Sequence, residues 1–171
     1  NLPASHVKGV TDLITKYNVG ALCFFQGGPV RQANLTNLYQ SLAKTPLMVT
    51  IDGEWGLGMR LDSVEKFPYQ LTLGALNDAK LVYDMGVAVG EQMKRIGVHV
   101  NYAPVVDVNN NPANPIINIR SFGEDPQLVG DLDQAAGVDA VVGRVEDAAL
   151  LELLLDAGVR ELVVGRAADD A

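Results

Sequence analysis

An acid, a tryptophan and an arginine stand close together in the segment IDGEWGLGMR, residues 51–60. The carboxylate of Asp52 can accept hydrogen bonds from two neighbouring hydroxyls, and the fork of Arg60 can donate to others. The indole of Trp55 can cover the apolar face of a ring. Together these groups have the chemistry of a sugar site. The alternative is a surface loop with one ordinary Asp–Arg pair, and the segment alone does not decide between them.

Further motifs follow in a fixed order along the chain: KFPYQLTLGA at residues 66–75, NYAPVVDVN at 101–109 and NPIINIRSFGEDP at 114–126. In this order and spacing they resemble the N-terminal (β/α) barrel domain of glycoside hydrolase family 3, which holds β-glucosidases and β-N-acetylhexosaminidases. The resemblance runs from about Val7 to about Gly130. It implies a retaining glycosidase of β-linked glucose or N-acetylglucosamine, with a carboxylate nucleophile and a general acid.

The resemblance also implies which residues contact the sugar. Asp52 matches the acid that follows the third family strand and binds ring hydroxyls. Arg60 matches the arginine at the end of that loop, and Arg120 matches the arginine opposite them. Trp55 stands where hexosaminidase relatives often carry a second glycine, so the choice of sugar stays open. The expected substrate-binding set is therefore Asp52, Trp55, Arg60 and Arg120.

The chain departs from the family pattern in its last part. The family's Lys-His-Phe segment and Gly-His-Gly loop should follow the next strand, but Arg144-Val145-Glu146 stands there. The nucleophile, an aspartate in a Ser/Thr-Asp context, is not recognisable. No catalytic residue is therefore assigned. Because loss of one carboxylate typically costs several powers of ten in rate, we expect the chain alone to be inactive.

Composition narrows the remaining possibilities. A length of 171 residues with 48% hydrophobic content fits one domain with a core. No apolar run is long enough for a membrane helix, and the net charge of −8 disfavours nucleic acid. One cysteine, Cys23, and two distant histidines lead us to expect no metal ion and no cofactor. Because the chain starts at Asn1 rather than Met, we expect a processed or excised piece, or further residues that precede Asn1. We expect a soluble, bacterial-type cytoplasmic or periplasmic protein if it is natural.

The composition changes sharply near Gly130. Residues 131–171 hold ten acids and three arginines, a net charge of −7, whereas residues 1–130 carry −1. No aromatic residue follows Phe122, and no lysine follows Lys94. We therefore divide the chain into a partial family 3 barrel segment, 1–130, and a βαβ-like completing segment, 131–171, within one compact domain. This division suggests a chimera, and the alternative is one gene with a helix-rich end.

Hydrophobic periodicity predicts alternating helices and strands, with Val7, Val10, Leu13 and Ile14 on one face of the first helix. The loop at residues 107–126 is long enough to suggest a function. Helices are predicted at residues 6–17, 30–43, 78–95, 125–136 and 146–157, and strands at 21–25, 47–51, 98–106, 138–143 and 161–165. The strand at 47–51 is nearly continuous in its apolar residues, as parallel strands buried on both faces are.

This alternation predicts an α/β fold with a parallel sheet of about five strands and flanking helices. Since a closed barrel needs eight strands, the fold is either a partial (β/α) TIM-type barrel or an open flavodoxin-like sheet. Open edges invite association, so we expect a homo-oligomer. In the tail, GVDAVVGR at 137–144 nearly repeats as GVRELVVGR at 158–166. This repeat weakly resembles the last strands of phosphate-binding barrels.

Three functions remain open. In the first, the chain is a fragment or chimera of a glycosidase. Its only expected ligand is then carbohydrate, and no nucleic acid or membrane partner is expected. Alternatively it is an engineered or recombined α/β scaffold without activity. The third alternative is a piece of a phosphosugar-binding barrel, a hypothesis that rests on the repeat in the tail.

Overall fold

The computed structural model describes residues 3–137. In this part of the chain, helices and strands alternate along most of the sequence, and two short 3-10 turns, Leu57–Met59 and Asn118–Arg120, lie in loops. The strands are β1 Ala21–Phe24, β2 Met48–Ile51 and β3 Val100–Asn101. The helices are α1 Ala4–Tyr17, α2 Pro29–Leu42, α3 Gln70–Leu76, α4 Ala79–Arg95 and α5 Pro126–Gly137.

The strands form one parallel sheet in the order β1-β2-β3, so β2 is central within the described residues. Ala21 lies opposite Met48, and Ile51 lies opposite Asn101. Parallel neighbours require crossover connections, which α2 provides between β1 and β2 and the helices α3 and α4 provide between β2 and β3. The α/β class with a parallel sheet is confirmed.

The strand count is lower than the five expected from the sequence. Three predicted strands fall within the described residues and all three are present, whereas those at 138–143 and 161–165, with the helix at 146–157, lie outside the described residues. The predicted strand 98–106 was too long. The backbone N–H of Tyr102 still donates to Ile51 O at 2.9 Å. Pro104 has no N–H to donate, so regular pairing stops early.

Local sequence explains where helix α4 begins. The carboxylate of Asp78 accepts from the backbone N–H groups of Lys80 at 3.0 Å and Leu81 at 3.2 Å, which starts α4. Helix α3 was not predicted, because seven residues are too few for a clear periodicity. Leu13, expected on the buried face of α1, is exposed, while Ile14 carries the burial of that helix.

The core lies on both sides of β2. Leu47, Val49 and Ile51 are 1%, 1% and 0% exposed, which confirms the burial expected from their continuous apolar pattern. Val49 and Ile51 pack with residues of α4 and of the loop that follows β2, and Leu47 packs against α1 and α2. A further cluster joins α3, α4 and α5 around Phe122. The sheet end that carries the 51–60 loop is thus supported from several elements.

Helix α5 runs through residue 130, where the composition changes. Its buried residues Val129, Leu132 and Ala136 belong to the same cluster as Val82 of α4. The start of the acidic segment therefore shares a core with the preceding residues, while the proposed division into 1–130 and 131–171 stays a prediction. Among residues 3–137, no helix has the length and apolar character needed to cross a bilayer.

The imidazole of His99 extends the pairing between β2 and β3. The backbone N–H of Val49 donates to His99 Nδ1 at 2.9 Å, and the backbone N–H of His99 donates to Val49 O at 2.8 Å. Burial lowers the pKa of His99 from its ordinary value of 6.5. Because Nδ1 accepts a hydrogen bond from the backbone N–H of Val49, protonation of this nitrogen would break that bond, so the fold favours the neutral ring.

A pH dependence follows from this depressed pKa. In the unfolded chain His99 takes up a proton more readily than in the folded chain, so the unfolded state gains protons first as the pH falls. We expect the free energy of unfolding to decrease as the pH falls below about 6.5. Urea titrations between pH 7.5 and 5.5 should show this slope, and His99→Gln should flatten it. His6→Gln, at an exposed histidine, is the matched control; an equal flattening there would contradict the assignment.

Candidate functional site

The loop that follows β2 is held by two buried amides. The side chain of Asn101 accepts from the backbone N–H of Gly53 at 2.8 Å and donates to the carbonyl of Gly53 at 3.1 Å. Gln70 Nε2 donates to the carbonyl of Glu54 at 2.7 Å. Because a Cβ at Gly53 would come within 2.7 Å of Met93 Cε, the loop also lies close against α4. Its backbone is therefore fixed from β3, α3 and α4.

Asp52 and Arg60 meet in this loop. Arg60 Nε donates to the backbone carbonyl of Asp52 at 2.9 Å, and Arg60 Nη2 forms a salt bridge with Asp52 Oδ2. The guanidinium also lies over the ring of Phe25, with Cζ at 4.9 Å from the ring centroid. Both charged side chains remain about a quarter exposed, at 28% for Asp52 and 24% for Arg60. The pair is ordered yet accessible.

Arg120 reaches the same loop but pairs with a different acid. Its Nε lies 3.0 Å from both carboxylate oxygens of Glu54, and its Nη2 donates to Oε1 at 2.7 Å. Nη1 donates to the carbonyl of Ile116 at 3.2 Å. The Glu54 side chain is only 1% exposed, while that of Arg120 is 31% exposed. The pair thus places a buried carboxylate beneath a guanidinium that solvent can reach.

Trp55 directly follows Glu54 in the loop after β2 and is half-buried. Its ring packs edge-on against Tyr69, with centroids 4.8 Å apart and an interplanar angle of 80°. Tyr69 itself is exposed and directly precedes α3. Two aromatic rings therefore border the loop, and the indole retains partial exposure.

The structure brings the sequence-derived candidates to one end of the sheet. Asp52, Trp55 and Arg60 share the loop after β2, and Arg120 joins it through Glu54. Sequence reasoning missed Glu54, although it stands in the same motif. A usable signal was available, because an acid that follows a buried strand within a glycine-rich loop must find a cation if it is buried.

The electrostatic environment keeps the Arg120 guanidinium charged. The hydrogen-bonded carboxylate of Glu54 raises the pKa of Arg120, burial opposes this to a smaller extent, and the charges of Asp52 and Asp107 raise it further. These acids place Arg120 in an electronegative neighbourhood. Within residues 3–137 no cluster of His, Cys, Asp and Glu suits a metal ion. The arrangement offers a carboxylate acceptor, guanidinium donors and aromatic surface at one place.

Comparison with known proteins connects this geometry to a family. A family model, the glycosyl hydrolase family 3 N terminal domain, matches residues 4–143. Beta-hexosaminidase A of Pseudoalteromonas piscicida is 34% identical over 139 residues, which cover 74% of this chain and 23% of that protein. Beta-hexosaminidase LpqI of Mycobacterium tuberculosis is 30% identical over 83% of this chain and 36% of its own length.

A solved structure of a glycoside hydrolase family 3 protein is also similar to this chain. The glycoside hydrolase family 3 beta-N-acetylglucosaminidase of Paenibacillus sp. str. FPU-7 superposes with a TM-score of 0.71 at 34% identity. The superposition covers 77% of this chain and 26% of that one. The chain thus spans 23%, 36% and 26% of the lengths of these three proteins, in the order given.

Proposed function

The chain belongs to glycosyl hydrolase family 3, and from this membership we propose that it forms part of the carbohydrate site of a glycosidase. The bonds acted on are O-glycosyl bonds of β-linked glucose or N-acetylglucosamine. Support comes from the names of its relatives, which are hexosaminidases and glucosidases. In this proposal the 171 residues alone are a fragment or chimera and are catalytically incomplete.

The observation that carries the proposal is the meeting of two acid–arginine pairs at the loop after β2. Asp52 Oδ2 is bound by Arg60, which leaves Oδ1 to accept from a sugar hydroxyl. Arg120 donates from its exposed side, and the indole of Trp55 borders the ring. Arg60 orients the carboxylate of Asp52 and adds positive charge beside it. Carbohydrate recognition uses this combination of fixed polar groups and aromatic surface.

Association of several copies and two other functions are further proposals for this chain. Among the described residues β1 and β3 form the sheet edges, so we propose association of copies through these edges. The phosphosugar alternative rests on tail residues outside the described part of the chain. The scaffold alternative has no specific observation in its favour. Titrations with sugars and inorganic phosphate distinguish the phosphosugar and scaffold alternatives from the glycosidase proposal.

The proposal predicts weak sugar binding without turnover. Methyl β-D-glucopyranoside and methyl N-acetyl-β-D-glucosaminide, titrated into ¹⁵N-labelled chain, should shift the amide signals of residues 52–60 with a Kd in the millimolar range or weaker, about 1 mM or above. Asp52→Asn should remove this response, whereas Asp62→Asn, at an exposed acid close by in the chain, should retain it.

The matching activity assay uses aryl β-glucoside and aryl β-N-acetylglucosaminide. We expect no release of the aryl group above buffer from the 171-residue chain. Turnover that disappears in Asp52→Ala would contradict incompleteness. Binding of inorganic phosphate, with no response to either sugar, would favour the phosphosugar alternative. Absence of every response would favour the scaffold.

A further inference from the structure

The buried side chain of Glu54 extends from a backbone that several neighbouring residues hold in place. Gln70 fixes its carbonyl at 2.7 Å, and Asn101 fixes the preceding residue Gly53 through two hydrogen bonds. The backbone N–H of Glu54 points to Met59 Sδ at 3.3 Å. A side chain that is 1% exposed on such a backbone has little freedom. The carboxylate of Glu54 is therefore held at a fixed position next to the loop that carries Arg120.

The fixed carboxylate of Glu54 orients the guanidinium of Arg120. Glu54 takes the Nε hydrogen and one Nη2 hydrogen, and the carbonyl of Ile116 takes one on Nη1. Because a guanidinium has five donors in one plane, these contacts fix its orientation and leave a hydrogen on each terminal nitrogen for a ligand. The 31% exposure of the side chain makes those hydrogens accessible.

Charge balance adds a second consequence. Each guanidinium of the site already has a carboxylate partner, Asp52 for Arg60 and Glu54 for Arg120. An anionic ligand at Arg120 would meet the negative charge of Glu54, which is hydrogen-bonded to the guanidinium, with Asp52 and Asp107 as further acids in the neighbourhood. A neutral hydroxyl can use the two remaining donors without this repulsion.

We infer that Glu54 is a positioning residue that aims Arg120 at neutral sugar hydroxyls and excludes anionic sugars from the same place. This role rests on the proposed function, since it takes Arg120 to be a sugar contact. Removing the charge of Glu54 while keeping its shape would loosen the guanidinium and free its charge. The site would then accept a carboxylate or phosphate that it normally rejects.

The test compares two ligands of nearly equal shape, methyl β-D-glucopyranoside and methyl β-D-glucuronide. In the wild-type chain the neutral glycoside should bind more tightly than the glucuronide. Glu54→Gln should weaken the neutral ligand by about tenfold and improve the glucuronide by about tenfold or more, because the charge of the guanidinium is then no longer balanced by its hydrogen-bonded carboxylate. Glu124→Gln removes one acid at an exposed position of the neighbouring loop and should change neither affinity.

A second variant separates charge from orientation. Glu54→Asp keeps the negative charge but shortens the side chain, so it should still reject the glucuronide while binding the neutral glycoside less well. The NMR signal of the Arg120 Nε–H provides a readout that needs no sugar. It should be a sharp, slowly exchanging signal in the wild type and in Glu124→Gln, and should broaden or vanish in Glu54→Gln.

These readouts keep the two proposals distinguishable. If no sugar binds but the Arg120 signal is lost in Glu54→Gln, the orienting role holds and the proposed function fails. If both sugars bind the wild type equally, or the signal and the affinities are unchanged in Glu54→Gln, the inference is overturned. Urea midpoints of each variant show whether the chain is folded, and Glu54→Asp replaces Glu54→Gln should the latter unfold.

Discussion

Ile51→Ala is expected to lower the free energy of unfolding by about 2–5 kcal/mol, as truncations of large aliphatic side chains in well-packed cores do. Ile51 is fully buried in β2 and has a strand on each side, with Phe24 and Asn101 as its partners. It packs in the cluster that includes Leu57 and Met93. Because neighbours on the two adjacent strands and on α4 are held by their own contacts, the cavity cannot close easily.

Urea denaturation followed by circular dichroism measures this loss. Ile116→Ala is the matched control, because it makes the same truncation at a residue that is 67% exposed; its cost should stay within about 0.5 kcal/mol. A midpoint for Ile51→Ala equal to that of the control would mean that β2 is not the centre of the core. It would also remove the support on which the 51–60 loop depends.

Gly74→Ala is expected to destabilise the chain by about 3 kcal/mol or more, at or above the upper end of overpacking costs. A Cβ on Gly74 would collide with the backbone carbonyl of Phe122, which cannot turn aside as a flexible side chain could. Gly74 lies in α3, and Phe122 follows the 3-10 turn Asn118–Arg120 by two residues. The substitution must therefore move α3 away from the segment that presents Arg120.

If Gly74→Ala moves α3 away from the Arg120 segment, it should change the position of Arg120 and the binding of sugar as well as the stability. The Arg120 Nε–H signal should shift or broaden in any folded population, and sugar binding should weaken with it. Gly130→Ala is the matched control, since this helical glycine has open space at its Cβ position and the same change should stabilise α5 by about 0.4–1 kcal/mol. Equal urea midpoints for the two variants would show that α3 and the Arg120 segment are not in close contact.

Much of the fold followed from local pattern. The continuous apolar run at 47–51 predicted a buried parallel strand, and Asp78 ahead of a helical period marked the start of α4 within one residue. Such features depend on residues near each other in the chain, and sequence displays them directly. Helix α3 was missed because it is too short for a clear periodicity, and the end of β3 was placed too late because Pro104, which has no N–H to donate, stops the pairing with β2.

The candidate site likewise has features that the sequence determined and features that only the tertiary structure decided. The sequence by itself determined that Asp52, Trp55 and Arg60 share one loop at the end of a strand, because they lie within one short segment, and the family motifs supplied Arg120. Only the tertiary structure decided how the charges pair, since Arg120 and Glu54 lie 66 positions apart. Their contact depends on Asn101 and Gln70 fixing the loop backbone and on α3 packing against the Arg120 segment. Pairing of this kind is set by burial, which leaves a carboxylate no alternative but the nearest guanidinium, and burial is a property of the folded chain.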